Sequence, residues 1–486
     1  MIDSLESGLL ERSVAVRLAL LGALAGEHVL LIGPPGTAKS ELARRLHRAF
    51  DGARYFERLL TRFSTPEELF GPLSLKALEH DRYERLTDGY LPTASIAFLD
   101  EVFKANSAIL NALLTLLNER EFDNGSARTR TPLISVIGAT NEVPQDEALM
   151  AFYDRFLVRV PVAAVSDASF EQLLALRPAQ ALAEPGAGAG AGAGADKAPA
   201  AAPITRDELG RWLAERDGVA LAPEVMPHLQ ALRAYCAGQA VAVSDRRWRQ
   251  LVGLLRTAAL SGGRTQVDAI DLWAVPYLLA SHPAQVAGLQ DWFVLEVAQA
   301  APQDAPWLAR AADAFEMQLE IESRAQTQEG DDSAGKLALA RSIGGAQGGP
   351  VGGEIGGERS GAERGDKSGE GGMLRMMSAS LEAHLRKRYS SAHVAARVAQ
   401  MDEVLAAACE RRDQITAQAD ALALALHNRL WLPPELAAQL LQAKQGTVDL
   451  LAVLVARLQE TRAGFAALPV DVQQAAALPE PVAFSA

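Results

Sequence analysis

Only two cysteines, Cys236 and Cys409, occur in 486 residues. That is too few for a disulfide framework, so a reducing compartment, the cytoplasm, is the expected setting. No apolar run reaches 18 residues, so no segment reads as a membrane-spanning helix. The first residues, MIDSLESGLL, are acidic and lack the basic start and long apolar stretch of a secretory signal. Positive charge is in deficit: 47 Lys+Arg against 60 Asp+Glu leave −13, which argues against a general nucleic-acid or anionic-membrane binder and leaves room only for local basic surfaces. The eight histidines are scattered without ligand spacing and are assigned no metal. What is present is apolar: 49% hydrophobic residues suffice for real cores, and the length suggests two or three domains.

Composition divides the chain. EPGAGAGAGAGADKAPAAAP (184–203) has no apolar periodicity and reads as a flexible Ala/Gly/Pro insertion. Residues 343–372, Gly-rich and charged, read as a disordered linker. Around them the expected plan is an α/β core over 1–183, a helical lid over 204–290, and a discontinuous helical arm over 291–342 and 373–470. Within the core, HVLLI (28–32), RYFERLL (54–60), SIAFLD (95–100), LISVIGAT (133–140) and FLVRVPV (156–162) are short strand-like runs. Helix-like stretches such as NSAILNALLTLLNER (106–120) separate them, which predicts a parallel sheet covered by helices on both faces, with its ligand at the carboxyl ends of the strands.

GPPGTAKS (33–40) follows the first strand and opens a helix. It fits the phosphate-loop pattern G-x-x-x-x-G-K-[ST] at Gly33, Lys39 and Ser40, with Ala38 where the pattern has glycine. Such a loop aims backbone N–H groups at an anion from a helix N-terminus. Gly33, Pro34, Pro35, Gly36, Thr37, Ala38, Lys39 and Ser40 would form the cradle. Lys39 would reach the β- and γ-phosphates of ATP and Ser40 would hold Mg²⁺. Ala38, at the start of the helix, is expected to take ordinary helical angles at no cost. The plainer reading of the segment is a Gly/Pro turn between a strand and a helix.

Two further strand ends carry matching chemistry. IAFLDE ends in Asp100-Glu101: Asp100 would hold Mg²⁺ through water and Glu101 would polarise the attacking water, the plainer reading being an acidic helix N-cap. VIGATNE ends in Asn141, placed to orient the same water. Phosphate loop, acidic pair and Asn on three strand ends, in that order, reinforce one another.

With these residues, TRFSTPEELFGPL, GYLPTASIAFLDEVFKANSAILNALLTLLNEREF, YDRF and VSDRRW, the chain resembles the AAA+ ATPases of the MoxR family, most closely the RavA subfamily, over roughly residues 1–290. The resemblance implies an α/β P-loop core with a helical lid, Mg-dependent ATP hydrolysis, a cytoplasmic homo-hexamer acting as a chaperone-like remodeller, and a von Willebrand factor A domain partner. Ala before the loop lysine is usual in that family. Asp154-Arg155-Phe156 matches its arginine-finger motif, so Arg155 should reach a neighbour's γ-phosphate; the plainer reading is an Arg packed beside a helix end. Ser244-Asp245-Arg246 aligns with its lid motif, departing at Asp245 where the family has proline, and makes Arg246 the second sensor, with Arg247 the competing choice. The family's insert maps to about Leu73–Thr93, expected as a β-hairpin toward the pore or, more plainly, a polar loop. Glu119-Arg120-Glu121 read equally as a subunit contact or a solvated helix end.

The family's inserted β-domain has no counterpart pattern in the Gly-rich tract, so a lysine decarboxylase partner is not expected. The helices beyond about residue 290 read instead as a separate partner-docking arm, with Val404, Leu405, Ala408 and Ile415 as a core seam. The competing function classes are a nucleotide switch or scaffold with little hydrolysis, a small-molecule kinase, and a nucleic-acid motor. The first has no use for Glu101, Asn141 and Arg155 together. The second does not need a long lid, and the third is disfavoured by the charge.

Overall fold

The computed structural model describes residues 1–176, 202–298, 306–325, 387–427, 429–471, 473 and 477–484. The Gly-rich linker and all but the last two residues of the Ala/Gly/Pro tract lie outside the described residues. The core opens with α1 (Ile2–Glu6) and α2 (Ser13–Leu24), followed by β1 (His28–Ile32), α3 (Lys39–Leu46) and β2 (Tyr55–Leu59). Next come α4 (Pro66–Phe70), α5 (Leu75–Leu78), β3 (Ile96–Asp100) and α6 (Ser107–Glu119). The hairpin β4 (Glu121–Asn124) and β5 (Ala127–Arg130) precedes β6 (Ser135–Thr140), α7 (Glu147–Tyr153), β7 (Phe156–Pro161) and α8 (Asp167–Ala175).

The five expected core strands form one parallel sheet in the order β2-β3-β6-β1-β7. Successive side chains of a strand face opposite ways. Val29 and Leu31 of β1 therefore enter one apolar cluster while Leu30 and Ile32 enter another. The first is roofed by α2 and the lid, the second by α6, whose N-cap Asn106 accepts from Ile109 N at 3.1 Å. Both faces are covered, which is why β1 carries no polar residue after His28.

Two core expectations are corrected. Residues 73–93 hold the short helix α5 and one isolated bridge, Leu73 to Arg85, rather than a β-hairpin. The hairpin is β4–β5, turned by Gly125-Ser126 with Gly125 at φ +66°, and Asn124 ties the 73–93 loop to it through Arg85 N at 2.6 Å and Arg85 O at 3.1 Å. Arg120 is no solvated helix end. It closes α6 at φ +58° and donates to the carbonyls of Leu133, Ile134 and Gly26, and burial pulls its pKa down to about 10.

The lid comprises α9 (Arg206–Glu215), opened by a Thr205/Glu208 capping box, with α10 (Val225–Gly238), α11 (Asp245–Ser261), α12 (Val275–Leu279) and α13 (Ala284–Ala298). The remaining helices are α14 (Pro306–Arg324), α15 (Ser391–His427) and α16 (Pro434–Ala466). They do not make one separate arm. Residues 422–443, the α15–α16 turn, belong to the same compact unit as residues 1–300. Trp431, Leu432, Leu436 and Leu440 are buried in the lid's cluster, each Leu contributing about 1.5–3 kcal/mol. Trp431 Nε1 donates to Ser261 Oγ at 2.9 Å, Arg17 of α2 donates to Leu430 O at 2.7 Å, and Arg429 pairs with Asp268.

The second unit contains α14, the rest of α15 and α16, and the C-terminal segment. Its core gathers Phe315, Met401, Leu458 and Phe465 with Val404, Ala408 and Ile415 of the expected seam, and Leu405 packs partly buried against it. Glu322, buried there, accepts from Arg397 at 2.9 Å and bonds His393 at 3.0 Å.

Candidate active site

The carboxyl ends of β1, β3 and β6 lead into the phosphate loop, the acidic pair and Asn141 respectively. Parallel pairing of β1 with β6 and of β6 with β3 brings the three ends together. The loop leaves β1 through Gly33, where any Cβ would run into the Val162 carbonyl, so only glycine lets β1 and the β7 exit lie this close. Lys39, buried, donates to Gly33 O and Pro34 O, each at 2.8 Å, and Thr37 Oγ1 donates to Pro34 O at 2.9 Å. Burial lowers the pKa of Lys39, and the nearby carboxylates of Asp100 and Glu101 oppose that shift.

Ala38 departs from the expectation of ordinary helical angles. It sits at φ +63°, ψ +23°, in the left-handed region. The glycine of the usual pattern takes those angles freely, whereas an L-residue with a Cβ is strained there by about 1–2 kcal/mol. Glu101 is left-handed too, at φ +52°. Its backbone N donates to Asp100 Oδ1 at 3.0 Å, and its carboxylate accepts from Asn141 Nδ2 at 2.6 Å and pairs with Lys104 Nζ at 3.3 Å.

This donor set suits a nucleoside triphosphate with Mg²⁺: a cationic, N–H-rich loop, the Ser40 hydroxyl, the Asp100 carboxylate and a second carboxylate beyond them. Ser40 and Asp100 are the residues that would hold the metal.

Arg155 and Arg246 lie elsewhere. Arg155 immediately precedes Phe156, which pairs with His28 at the amino end of β1. Arg246 is exposed on the first turn of α11, within electrostatic reach of Glu27 and His28, and Gln250 one turn on donates to Glu27 at 2.7 Å. Five residues of β1, at about 3.3 Å each, put roughly 16 Å between that edge and the phosphate loop. Arg155 Nε is buried with no hydrogen-bond partner among the described residues. Arg247, the competing sensor, is 3% exposed and clamps lid to core. It donates to Leu278 O at 2.5 Å, Leu157 O at 2.7 Å and Asp154 Oδ1 at 3.1 Å, and burial pushes its pKa down to about 9. Its donors are thereby committed to the fold.

Two site residues escaped sequence reasoning. Lys104 follows the acidic pair by three residues, and its charge could have been read as a partner for Glu101. Arg12 is 25 residues from Thr37, whose carbonyl its Nε reaches at 3.2 Å, and no spacing rule connects them.

Comparison with known proteins agrees with this geometry. Residues 1–182 match the family described as the MoxR domain in the MoxR-vWA-beta-propeller ternary systems, and residues 224–293 match the AAA lid domain. Two uncharacterized proteins of Methanocaldococcus jannaschii are similar: one is 39% identical over 58% of this chain and 70% of its own length, the other 41% identical over 56% and 66%. The chain thus spans about two thirds of the length of these relatives. Protein MoxR of Paracoccus denitrificans is 28% identical over 36% of this chain and 52% of its own length.

Proposed function

From the premise that this chain belongs to the MoxR family of AAA+ ATPases, we propose that it hydrolyses Mg-ATP in a ring of identical subunits, a hexamer, and uses the cycle to remodel or activate a partner protein. The carrying observation is the split of the machinery between the two edges of the sheet. Gly33–Ser40, Asp100, Glu101 and Asn141 sit on the carboxyl edge, while Arg155 and Arg246 sit on the amino edge. A chain in this arrangement completes a site only when another copy presents its amino edge to the loop.

In that site the loop N–H groups and Lys39 hold the β- and γ-phosphates. Ser40, and Asp100 through water, would hold Mg²⁺, which would supply positive charge against the phosphates when bound. Glu101 accepts the proton of the attacking water, which Asn141 orients from its 2.6 Å bond to the same carboxylate. The neighbour's Arg155 supplies positive charge as the γ-phosphoryl departs. Arg246, on the same edge, serves as the second sensor for that neighbouring site.

A von Willebrand factor A domain protein is the proposed partner, supported by the ternary systems from which the matching family takes its description. The RavA-like reading is supported by the discontinuous helices α14, α15 and α16 beyond the lid. Both cysteines are free thiols, which supports a cytoplasmic placement. No helix among the described residues is long and apolar enough to cross a membrane. Glu101→Gln tests the reading: this variant should bind ATP with near wild-type affinity and turn it over at least 10²-fold more slowly. Near wild-type turnover would remove Glu101 from the proposed role.

A further inference from the structure

The strained Ala38 needs something to hold it. Backbone forced into a sparsely populated region persists only where its surroundings over-determine it. The peptide joining Thr37 to Ala38 is the hinge concerned, because its rotation sets the φ of Ala38. Its carbonyl accepts from Arg12 Nε at 3.2 Å. The same guanidinium donates to Ala163 O at 2.6 Å and to Glu11 O at 2.9 Å. Ala163 lies just past β7, which pairs with β1, and Val162 N donates back to Ile32 O at 2.7 Å. Arg12 therefore spans the exits of two neighbouring strands, and it is 7% exposed. The side chain is planar and forked, so one residue can hold both carbonyls at fixed angles.

A trans peptide points its C=O and N–H in opposite directions. With Thr37 O turned toward Arg12, the Ala38 N–H turns away from it. We infer that Arg12 is a positioning residue for the phosphate loop: it locks the Thr37–Ala38 peptide so that Ala38 keeps the left-handed conformation a glycine would adopt unaided, and so presents its N–H to the phosphates. This rests on the nucleotide-binding reading above. It also explains how alanine is tolerated at that position, for the strain intrinsic to the Cβ is offset by a bond from outside the loop.

The test is a double-mutant cycle in the full chain, with Arg12→Gln, Ala38→Gly and both together. Affinity for a fluorescent ATP analogue is the first readout. Arg12→Gln should weaken binding by at least tenfold with Ala38 in place and by only a few-fold in the Ala38→Gly background, a coupling on the order of tenfold. Arg12→Lys, which reaches only one of the two carbonyls, should fall between, and millimolar guanidinium should partly restore Arg12→Gln but not Lys39→Ala. The second readout needs no nucleotide: Ala38→Gly should raise the thermal midpoint of the wild-type chain more than that of Arg12→Gln, where the loop has already relaxed. Equal losses of affinity in both backgrounds, or equal thermal gains, would overturn the proposal. A wild-type chain that fails to bind the analogue counts against the nucleotide site itself, and the thermal cycle then decides the role of Arg12 alone.

Discussion

Asn141 Nδ2 donates to Glu101 Oε1 at 2.6 Å, joining the end of β6 to the end of β3. Neither residue is near the other in sequence, and β6 pairs with β3 along its length, so the sheet itself sets their approach. The bond leaves the Glu101 carboxyl held between an amide and the Lys104 side chain, oriented beside the phosphate loop.

If that amide orients the catalytic carboxylate and its water, Asn141→Ala should lower kcat on the order of 10²-fold while ATP affinity stays near the wild-type value. Steady-state kinetics with a separate binding titration checks this. Loss of affinity with kcat unchanged would make Asn141 a binding group instead.

Stability should depend on pH through Glu27. Burial raises its pKa to about 7 from an ordinary 4.5, although Arg120, Arg216, Arg246 and the Gln250 amide oppose the shift. Below pH 4.5 the carboxyl is neutral folded or unfolded and costs nothing. As pH rises from 4.5 through 7 the unfolded chain ionises first, so stability falls over that window. Glu27→Gln should remove this slope and stabilise the chain at pH 8 by about 2 kcal/mol, solvent screening included. Denaturant midpoints of both chains at pH 5 and pH 8 should show the gap widening with pH. A constant gap would contradict the assignment.

Trp431 separates the roles of the two compact units. Trp431→Ala removes a side chain buried against the lid and should cost about 3–5 kcal/mol. The transition it lowers should be the one that added ATP raises, because ligand binding stabilises the unit that holds the site. Phe465→Ala, a comparable loss in the second unit, should lower the other transition. A chain ended near residue 290 should melt earlier than the full chain, since Leu432, Leu436 and Leu440 go with the missing helices. ATP raising the Phe465-sensitive transition instead would refute this division.

The parts legible in the sequence were those whose signal is local. The run 28–32 is apolar after His28, and 156–162 is apolar but for the buried Arg159, because both sheet faces are covered, and the strand ends carry polar residues where apolar packing stops. The hairpin was missed because β5, ARTR, is exposed throughout and shows no alternation, although Asn124-Gly125 was a turn signal. The left-handed angle of Ala38 and the grip of Arg12 depend on a contact spanning 25 residues, which periodicity does not register. The same holds for Trp431: an apolar residue beside Pro433-Pro434 looks like a helix break until the lid is seen to receive it.

Mixing two inactive forms shows whether a site on one chain is completed by an arginine from the next. Lys39→Ala lacks a phosphate ligand but keeps Arg155, and Arg155→Ala keeps the loop but lacks the finger. Each alone should hydrolyse ATP on the order of 10³-fold more slowly than wild type. Mixed at equal concentration, they should regain a measurable fraction of wild-type turnover, because some junctions then pair an intact loop with an intact arginine. Co-assembly of the two forms with no recovery at any mixing ratio would mean that Arg155 does not act on a neighbour's nucleotide.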